Sequence, residues 1–389
     1  MTQASPVGQA TSLFQEQFGS GPTVVVSAPG RVNLIGEHTD YNGGPVLPLA
    51  IERRTVVAAG HGEGWAAVSA IDGTVHLLEP DAPSPDSWTA YLTGAIRVLR
   101  RRGITLRGAR LAIASNLPVG MGLSSSAALS VAATRALVGL AGNKVSAELI
   151  AEVAYLAEHD EVGVPCGRMD QTVIALARTG SALLFETGNG AMTQLPFPGR
   201  VWVFETGVSH QLTTGDYNTR RRECQVALRL VRDYGSLVTV LAAIAAEELP
   251  ELERMLPPPW KLRLRHVVTE VARTHAAARA LVARDLPSLG RLLLEGHESL
   301  RQNFQSSCAE ADVLVEAAVQ HGAWGARLTG AGWGGAVIAL IPDEQEARVA
   351  AEVSDDFRQR FGRLPDAWAT KAAAGVRSEK SAIGDRRQS

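Results

Sequence analysis

A short stretch near the N-terminus carries the most informative set of chemically capable side chains. Between residues 31 and 44, several polar residues crowd among closely spaced glycines: Arg31, Asn33, Glu37, His38, Asp40 and Asn42. Carboxylates accept hydrogen bonds from hydroxyl groups, and paired oxygens bridge vicinal hydroxyls, so the stretch suits a hydroxyl-rich ligand. Composition alone leaves two alternatives. One is a solvated charged loop; the other is a metal site of Glu37, His38 and Asp40, which their adjacent positions disfavour.

A second stretch, residues 116–129, follows a predicted strand and opens a predicted helix. Gly120 and Gly122 lack a Cβ, so the backbone there can bend and approach a ligand closely. The serines at 124–126 offer hydroxyls and backbone N–H groups at a helix N-terminus, where the dipole favours anions. A serine-capped core helix is the alternative. No lysine-bearing P-loop is present, and the Rossmann spacing fails because Ser125 stands where the third glycine belongs.

A second glycine cluster lies at residues 330–335. Gly330, Gly332 and Gly335 satisfy G-x-G-x-x-G, but the predicted strand Ala336–Ile341 follows instead of a helix. The dinucleotide fingerprint therefore lacks its required context, and a tight glycine turn is predicted.

Two acidic residues lie between predicted helices in residues 158–171. Asp170 by itself is typical of a carboxylate at a helix N-terminus, and Glu158 is one charge of an acidic cluster. Farther along, His266 and Glu270, spaced i,i+4, are expected to form a surface pair instead of a metal site. The arginines at 220–222 are expected to form a solvated helix face.

Strands and helices alternate in the first half of the chain, and the second half is mostly helical. Thr55–Ala59 and Trp65–Ser69 are predicted to form a hairpin across residues 61–64. Further strands are predicted at Thr23–Ala28, Arg110–Ser115, Ala336–Ile341 and Ala367–Ala373. Helices are predicted at Trp88–Leu99, Ala127–Leu140, Ser146–His159, Tyr217–Leu241, Leu262–Ala283, Leu286–Phe304, Ala309–Val319 and Asp343–Phe361.

The length of 389 residues predicts two α+β domains with a cleft between them. Gly188–Arg200, with its glycines and prolines, is the expected boundary, which gives domains of residues 1–190 and 191–376. The polar residues 377–389 are expected to be a disordered tail.

Composition describes an ordinary globular enzyme, with 46% hydrophobic and 20% charged residues and a mean hydropathy of +0.02. The net charge of −2 gives no sign of a nucleic-acid or membrane partner, and no obligate protein partner is indicated. Three distant cysteines argue against a disulfide framework, and neither a signal peptide nor a bilayer-spanning run is visible. A cytoplasmic location is therefore expected.

The strand–PxGxGLSSSA–helix pattern resembles the ATP-binding loop of the GHMP small-molecule kinases. The resemblance implies that ATP contacts a run of seven residues, Gly120, Met121, Gly122, Leu123, Ser124, Ser125 and Ser126. LTGAGWGG is similar to the third motif of that family, a glycine turn that leans over the phosphate loop. The family usually has glycine at Ala331 and phenylalanine at Trp333, and these departures are expected to be tolerated.

Residues 30–44 resemble, nearly residue for residue, the galactokinase signature G-R-x-N-L-I-G-E-H-x-D-Y-x-x-G of this family. Residues 166–171 match C-G-x-M-D-Q, and 215–224 are similar to a further galactokinase segment. The resemblance implies that Asp170 is the catalytic base and that Arg31 lies beside the reacting oxygen. It assigns Mg²⁺ to Ser126 and Glu158. It assigns the sugar to Glu37, His38, Thr39, Asp40, Gly167 and Tyr217.

The resemblance runs from about Ala28 to Ile341 and implies a two-domain GHMP kinase fold. An N-terminal domain like ribosomal protein S5 domain 2 and a ferredoxin-like C-terminal domain are expected to enclose the active site. The implied reaction is ATP-dependent phosphorylation of the C1 hydroxyl of galactose to galactose 1-phosphate and ADP, the first committed step of the Leloir pathway. Two alternatives remain: a sibling kinase for N-acetylgalactosamine or arabinose, and a non-catalytic galactose sensor. The intact GLSSSAA, Arg31 and Asp170 disfavour the sensor.

Overall fold

The computed structural model describes residues 5–84, 87–209 and 214–379. Within these residues the helices are α1 (Pro6–Phe18), α2 (Thr89–Arg101), α3 (Ser125–Leu140), α4 (Ala147–Leu156), α5 (Met169–Leu176), α6 (Thr214–Asp233), α7 (Leu249–Met255), α8 (Trp260–Val282), α9 (Leu286–Ser299), α10 (Ala309–Gln320) and α11 (Glu346–Phe361). The strands are β1 (Val24–Asn33), β2 (Pro45–Val46), β3 (Pro48–His61), β4 (Trp65–Ser69), β5 (Val75–Leu77), β6 (Ala109–Ser115), β7 (Ser181–Glu186), β8 (Ala191–Pro196), β9 (Arg200–Glu205), β10 (Gly325–Thr329), β11 (Ala336–Leu340), β12 (Asp366–Lys371) and β13 (Arg377–Ser378).

The largest sheet has the strand order β13-β1-β3-β6-β4-β5. Because side chains alternate along a strand, the apolar residues of β1 and β3 are divided between two cores. Val25 and Val56 pack with Phe14 of α1 on one face. Val26 and Val57 face the main core, where α3 lies across β1 and β3. Covered on both faces, this sheet holds the segments on either side of α3 in fixed positions.

The predicted hairpin between Thr55–Ala59 and Trp65–Ser69 is wrong, although both segments are strands. β6 lies between them, antiparallel to β3 and parallel to β4. The glycine-containing link at 61–64 is short enough for a hairpin, but a later strand returns to pair with both. Neighbours in a sheet are therefore set here by long-range pairing, which local turn residues do not reveal.

A second, antiparallel sheet has the order β10-β11-β9-β12. Val337 and Ala339 of β11 face a core formed with α6, α8, α10 and α11. Ala336 and Ile338 face the main core, which also contains Leu289 and Leu293 of α9. This sheet and the first therefore share one continuous core, and the loops between them meet at a common edge.

A third sheet, β2-β7-β8, spans the expected domain boundary. Position 190 lies in the turn between β7 and β8, and the two strands pair along their full length. The expected tail also starts too early, because β13 pairs with β1 and the Ser27 hydroxyl donates to Glu379. Backbone pairing and the buried Arg54, which donates to the carbonyls of Ala374 and Gly375, order this segment. Residues 380–389 of the expected tail lie outside the described residues.

The other predicted elements are confirmed, with shifted ends. The helix predicted from Tyr217 ends at Asp233 instead of Leu241, and the one predicted from Asp343 begins as a 3₁₀ turn before α11. Two π-helical turns, Ala157–Glu161 and Leu300–Phe304, extend α4 and α9. Among the described helices, none is both long and apolar enough to cross a bilayer.

Candidate active site

A cavity of about 250 Å³ lies where loops of the first and second sheets meet. Four separate segments line it: residues 31–41, 158–170, 217–218 and 330–331. Most of the predicted catalytic, sugar-binding and metal-binding side chains line it together with the backbone of Gly167: Arg31, Glu37, His38, Asp40, Glu158, Asp170 and Tyr217. Residues far apart in the chain therefore converge as the motifs predicted.

Asp170 and Arg31 form the polar centre of this cavity. Arg31, at the end of β1, holds Asp170 through two parallel contacts, Nε to Oδ1 at 2.7 Å and Nη2 to Oδ2 at 2.8 Å. Such a bidentate pair fixes the plane of the carboxylate as well as its position. The third nitrogen of Arg31 donates to the carbonyl of Gly122, and the Ser124 hydroxyl donates to Asp170 Oδ2. One carboxylate thus joins the cavity to the glycine–serine loop (residues 116–126).

Asp40 lies against the backbone of Gly167. A Cβ at Gly167 would stand 1.6 Å from Asp40 Oδ2, so only glycine fits there. Burial, and to a lesser degree the Asp170 carboxylate, raises the pKa of Asp40 to about 6, while Arg31 opposes the shift. A buried carboxylate of this kind calls for hydrogen-bond donors from a ligand.

His38 is engaged within the protein at both ring nitrogens. Nε2 lies 2.9 Å from the carbonyl of Ala331, which can only accept, so Nε2 carries the proton and Nδ1 accepts from the Tyr41 hydroxyl at 2.9 Å. The ring stacks on Phe304 with centroids 4.2 Å apart, and burial lowers the pKa of His38 well below its usual value. His38 therefore has no free nitrogen for a metal ion, which overturns the metal alternative for this stretch.

Thr39, which the resemblance assigns to the sugar, is not among the residues that line the cavity. Its side chain is fully buried, and its hydroxyl lies 2.7 Å from the carbonyl of Gly36 and 2.6 Å from that of Pro45. The hydroxyl of a short β-branched side chain reaches nearby carbonyls and closes the turn. The Thr39 side chain therefore closes the turn of the N-terminal loop (residues 34–44), and its assignment to the sugar stays a prediction.

Glu37 is held by residues of the second half of the chain. Its carboxylate pairs with Arg327 of β10 and accepts a 3.4 Å hydrogen bond from the backbone of Gly330. Burial raises the pKa of Glu37 to about 7, and Arg327 opposes the shift. With Glu37 and His38 both buried, the alternative of a solvated charged loop is wrong.

The glycine–serine loop has the backbone that its sequence predicts. Gly120 and Gly122 adopt φ values of 76° and 70°, and α3 begins directly after Ser124. The alternative of a serine-capped helix is wrong, because the side chain of Ser124 bonds Asp170 and not the helix N–H groups. The glycine turn (residues 330–335) lies over this loop: a Cβ at Gly330 would be 2.9 Å from the carbonyl of Gly122.

Ser126 and Glu158 lie together beside the glycine–serine loop. The Ser126 hydroxyl donates to Glu158 Oε1 at 2.8 Å, and Gln171 donates to Oε2 at 2.7 Å. Burial raises the pKa of Glu158 to about 7. Among the described residues, no three His, Cys, Asp or Glu side chains are grouped to hold a metal ion. The pair nonetheless suits Mg²⁺, which binds one or two protein oxygens and completes its shell with phosphates and water.

Sequence reasoning missed the residues that support the cavity from behind. His266 and Glu270 are fully buried, so the predicted surface pair is wrong: both face the N-terminal loop. Arg220 and Arg221 donate to the carbonyls of Phe304 and Pro165, which corrects the predicted solvated face for these two. A charged residue inside an apolar strand, Arg327 in GARLT, was the available signal, since buried charges must be paired.

Comparisons with known proteins agree with this geometry. The profile of the galactokinase galactose-binding signature matches residues 12–61, and those of the GHMP kinase N-terminal and C-terminal domains match residues 90–178 and 277–359. The galactokinase of Chloroflexus aggregans is 39% identical over 94% of this chain and 96% of its own length. That of Homo sapiens is 34% identical over 96% and 97%, respectively.

Solved structures give the same result. A crystal structure of Lactococcus lactis galactokinase complexed with galactose superposes with a TM-score of 0.90 at 28% identity, covering 95% of this chain and 99% of the other. A mevalonate kinase at 18% identity, with a TM-score of 0.64, shares the fold. The expected α+β GHMP kinase fold is thereby confirmed, and the chain belongs to the galactokinase family of the GHMP kinases.

Proposed function

We propose that the protein transfers the γ-phosphate of ATP to the C1 hydroxyl of galactose, giving galactose 1-phosphate and ADP. One observation carries the proposal: Asp170 faces the polar cavity and is also bonded to Ser124 of the glycine–serine loop. A sugar hydroxyl in the cavity and a phosphate on that loop would therefore meet at the same carboxylate. The names of the similar proteins, galactokinases from bacteria and mammals, supply the sugar.

The cavity offers acceptors of the kind that a sugar needs. Asp40 and Glu37 would accept from hydroxyls, Tyr217 would provide an aromatic wall, and Gly167 would let the sugar approach the backbone. Oriented acceptors discriminate between epimers, because an epimer with a misplaced hydroxyl leaves buried polar groups without partners. A site of this kind is expected to reject glucose, the 4-epimer of galactose.

For the chemical step, Asp170 would accept the proton of the C1 hydroxyl as its oxygen attacks the γ-phosphorus. Arg31 holds that carboxylate through two contacts and would place a positive charge beside the reacting oxygen. Phosphoryl transfer passes through a loose transition state, so positioning and charge stabilisation supply most of the rate enhancement. Backbone N–H groups at the start of α3 would receive the phosphates.

A magnesium ion, held by Ser126 and Glu158, would accompany ATP in this proposal. When bound, it neutralises charge on the β- and γ-phosphates. Gln171 supports the site from the protein side, because its 2.7 Å hydrogen bond orients the Glu158 carboxylate.

We also propose a division into two domains that differs slightly from the expected one. Since β7 and β8 form one hairpin paired with β2, the first domain would extend through Pro196. The second would span residues 197–371, and β13 would return to the first sheet.

Initial rates on a panel of sugars test the function. With Mg²⁺-ATP, kcat/KM should be highest for galactose and lower for N-acetylgalactosamine, arabinose and glucose. A preference for either of the first two rivals would redirect the proposal to a sibling kinase. Galactose binding without turnover on any sugar would favour the sensor.

A further inference from the structure

The N-terminal loop belongs to the first half of the chain, but side chains of the second half hold it. The backbone N–H of Gly36 donates to Glu270 Oε1 at 3.0 Å, and the carbonyl of Glu37 accepts from His266 Nε2 at 3.1 Å. The Glu37 carboxylate pairs with Arg327. Three anchoring contacts on two adjacent residues therefore come from α8 and β10.

Arg327 is the centre of this arrangement. Its guanidinium is fully buried and bridges two carboxylates, Glu37 through Nη2 and Glu270 through Nη1 at 2.9 Å. The other oxygen of Glu270 is held by Arg273 at 2.8 Å. Carboxyl and guanidinium groups alternate along Glu37–Arg327–Glu270–Arg273, so each arginine lies beside at least one carboxyl group.

Helix α9 lies directly against the Arg327 side chain. A Cβ at Gly296 would stand 2.6 Å from its Nη1 atom, so α9 presses directly on the guanidinium. A planar fork held on one side by a helix and on the other by a fixed carboxylate determines where a second carboxylate can sit. That second carboxylate is Glu37, which lines the cavity.

We propose that Arg327, oriented by Glu270, is a positioning residue for sugar recognition: it fixes the Glu37 carboxylate in the cavity wall. The second domain thereby sets the geometry of a sugar-reading group that the first domain carries. This inference rests on the proposed function, and it assigns Arg327 no contact with sugar or phosphate.

A set of variants tests whether Arg327 acts through Glu37. Arg327→Met should raise the galactose KM and the galactose Kd roughly 10-fold or more and leave the ATP KM unchanged. The double variant Glu37→Gln/Arg327→Met should weaken galactose binding no more than Glu37→Gln alone, because residues acting as a unit are non-additive. Effects that multiply instead, or an ATP KM that rises in parallel, would overturn the assignment.

Arg54→Met is the matched control. Arg54 is also a buried arginine, but its partners are Ser27 and the carbonyls of Ala374 and Gly375, away from the cavity. The Arg54→Met variant should lower the melting temperature without changing the galactose Kd. Its effect on stability should add to that of Glu37→Gln in the double variant. A galactose Kd that rises equally in Arg54→Met would reduce the role of Arg327 to general stability and contradict the proposal.

Two further measurements keep the test decisive. If Arg327→Met does not fold, Arg327→Lys keeps the charge but cannot hold two carboxylates in one plane, and it should still raise the galactose Kd. An unchanged Kd there would refute the inference. Galactose Kd values measured without ATP also separate the two proposals: a wild-type protein that binds galactose but never phosphorylates it contradicts the function alone.

Discussion

The N-terminal loop lines the cavity, the glycine–serine loop lies beside it and is joined to it through Asp170, and the two loops are held in different ways. The first depends on buried side chains from distant elements, with Arg327, Glu270 and His266 fixing Gly36 and Glu37. The second has two glycines with positive φ that lead into the start of α3, and Arg31 and Asp170 also hold it through the Gly122 carbonyl and the Ser124 hydroxyl. In the proposed function, the sugar-reading geometry is thus a tertiary property of this chain, whereas the proposed phosphate-binding loop combines a local backbone conformation with contacts to Arg31 and Asp170.

The largest expected effect lies where the two regions meet, at Asp170. Asp170→Asn keeps the shape and can still bond Arg31, but it removes the group that takes the hydroxyl proton. A general base contributes about 100- to 10,000-fold, so kcat should fall within that range while both substrates still bind. Steady-state kinetics with galactose and ATP measure this, and near-wild-type kcat would contradict the assigned base.

Gly167→Ala should impair the use of galactose without affecting ATP binding. Its Cβ would stand 1.6 Å from Asp40 Oδ2 and must displace that carboxylate. We expect kcat/KM for galactose to fall about 100-fold, since one misplaced catalytic contact costs that much, with the ATP KM unchanged. Gly64→Ala is the control, because nothing lies within 4 Å of a Cβ there. Equal losses in the two variants would argue against the Asp40–Gly167 contact.

Acidification should also weaken galactose binding. Burial raises the pKa of Asp40 to about 6, so the carboxylate gains a proton and loses acceptor capacity as the pH falls through that value. Galactose Kd measured without ATP should rise about 10-fold between pH 7 and pH 5. Asp40→Asn should remove the part of this dependence that comes from Asp40, and the remainder should come from Glu37, whose pKa burial raises to about 7. A pH profile that is identical in the variant and the wild type would contradict the role of Asp40.

The raised pKa of Asp40 has the opposite effect on stability: acidification that weakens galactose binding should stabilise the sugar-free fold. Because the pKa of Asp40 is higher in the fold than its ordinary value of 3.8, the ionised form is disfavoured in the native state. The sugar-free protein should therefore gain stability from Asp40 as the pH falls from above 6 towards 4. Thermal melts of the wild type and Asp40→Asn across this range separate the contribution of Asp40 from other groups.

The smallest effect is expected on the phosphate side, from Gly120→Ala. Gly120 has a φ of 76°, and a left-handed conformation costs alanine about 1 kcal/mol. We expect the substituted loop to leave this conformation when ATP is absent, so that restoring it on binding raises the ATP KM roughly fivefold. Gly73→Ala carries the same strain at a φ of 65° in an exposed turn. The control variant Gly73→Ala should leave the ATP KM unaltered. In Gly120→Ala, a galactose KM that rises more than the ATP KM would contradict the assignment of the glycine–serine loop to ATP.

Sequence reasoning succeeded where a function depends on consecutive residues. The glycine–serine loop was predictable because strand, glycines, serines and helix follow one another, and the elements around it were found nearly at their observed ends. It did not show where the Thr39 side chain lies: the motif assigns Thr39 to the sugar, and the structure places its hydroxyl beside two carbonyls of its own turn. A motif identifies residues that occur together, and it does not say which way each side chain points.

Sequence reasoning failed where a polar residue of one element faces another element. His266 and Glu270 have the spacing of an exposed helix pair, and only the packing of α8 against the N-terminal loop shows that they are buried. The strand order β3-β6-β4 could not be predicted for a similar reason, because pairing between distant strands leaves no signal in the short link at 61–64. Such contacts join residues that lie tens to hundreds of positions apart.

The sequence by itself identified the chemically capable groups of this protein: an acceptor-rich loop, a glycine–serine loop of the kind that can bind phosphate and the Asp170 carboxylate are all present as local motifs. The tertiary structure alone decided which of these groups face the cavity, that Asp170 joins Arg31 to Ser124, and that Arg327 fixes Glu37. The physical reason is the distance along the chain over which each interaction acts. Backbone conformation follows from neighbouring residues, whereas the burial and pairing of charges depend on which elements the shared core brings together.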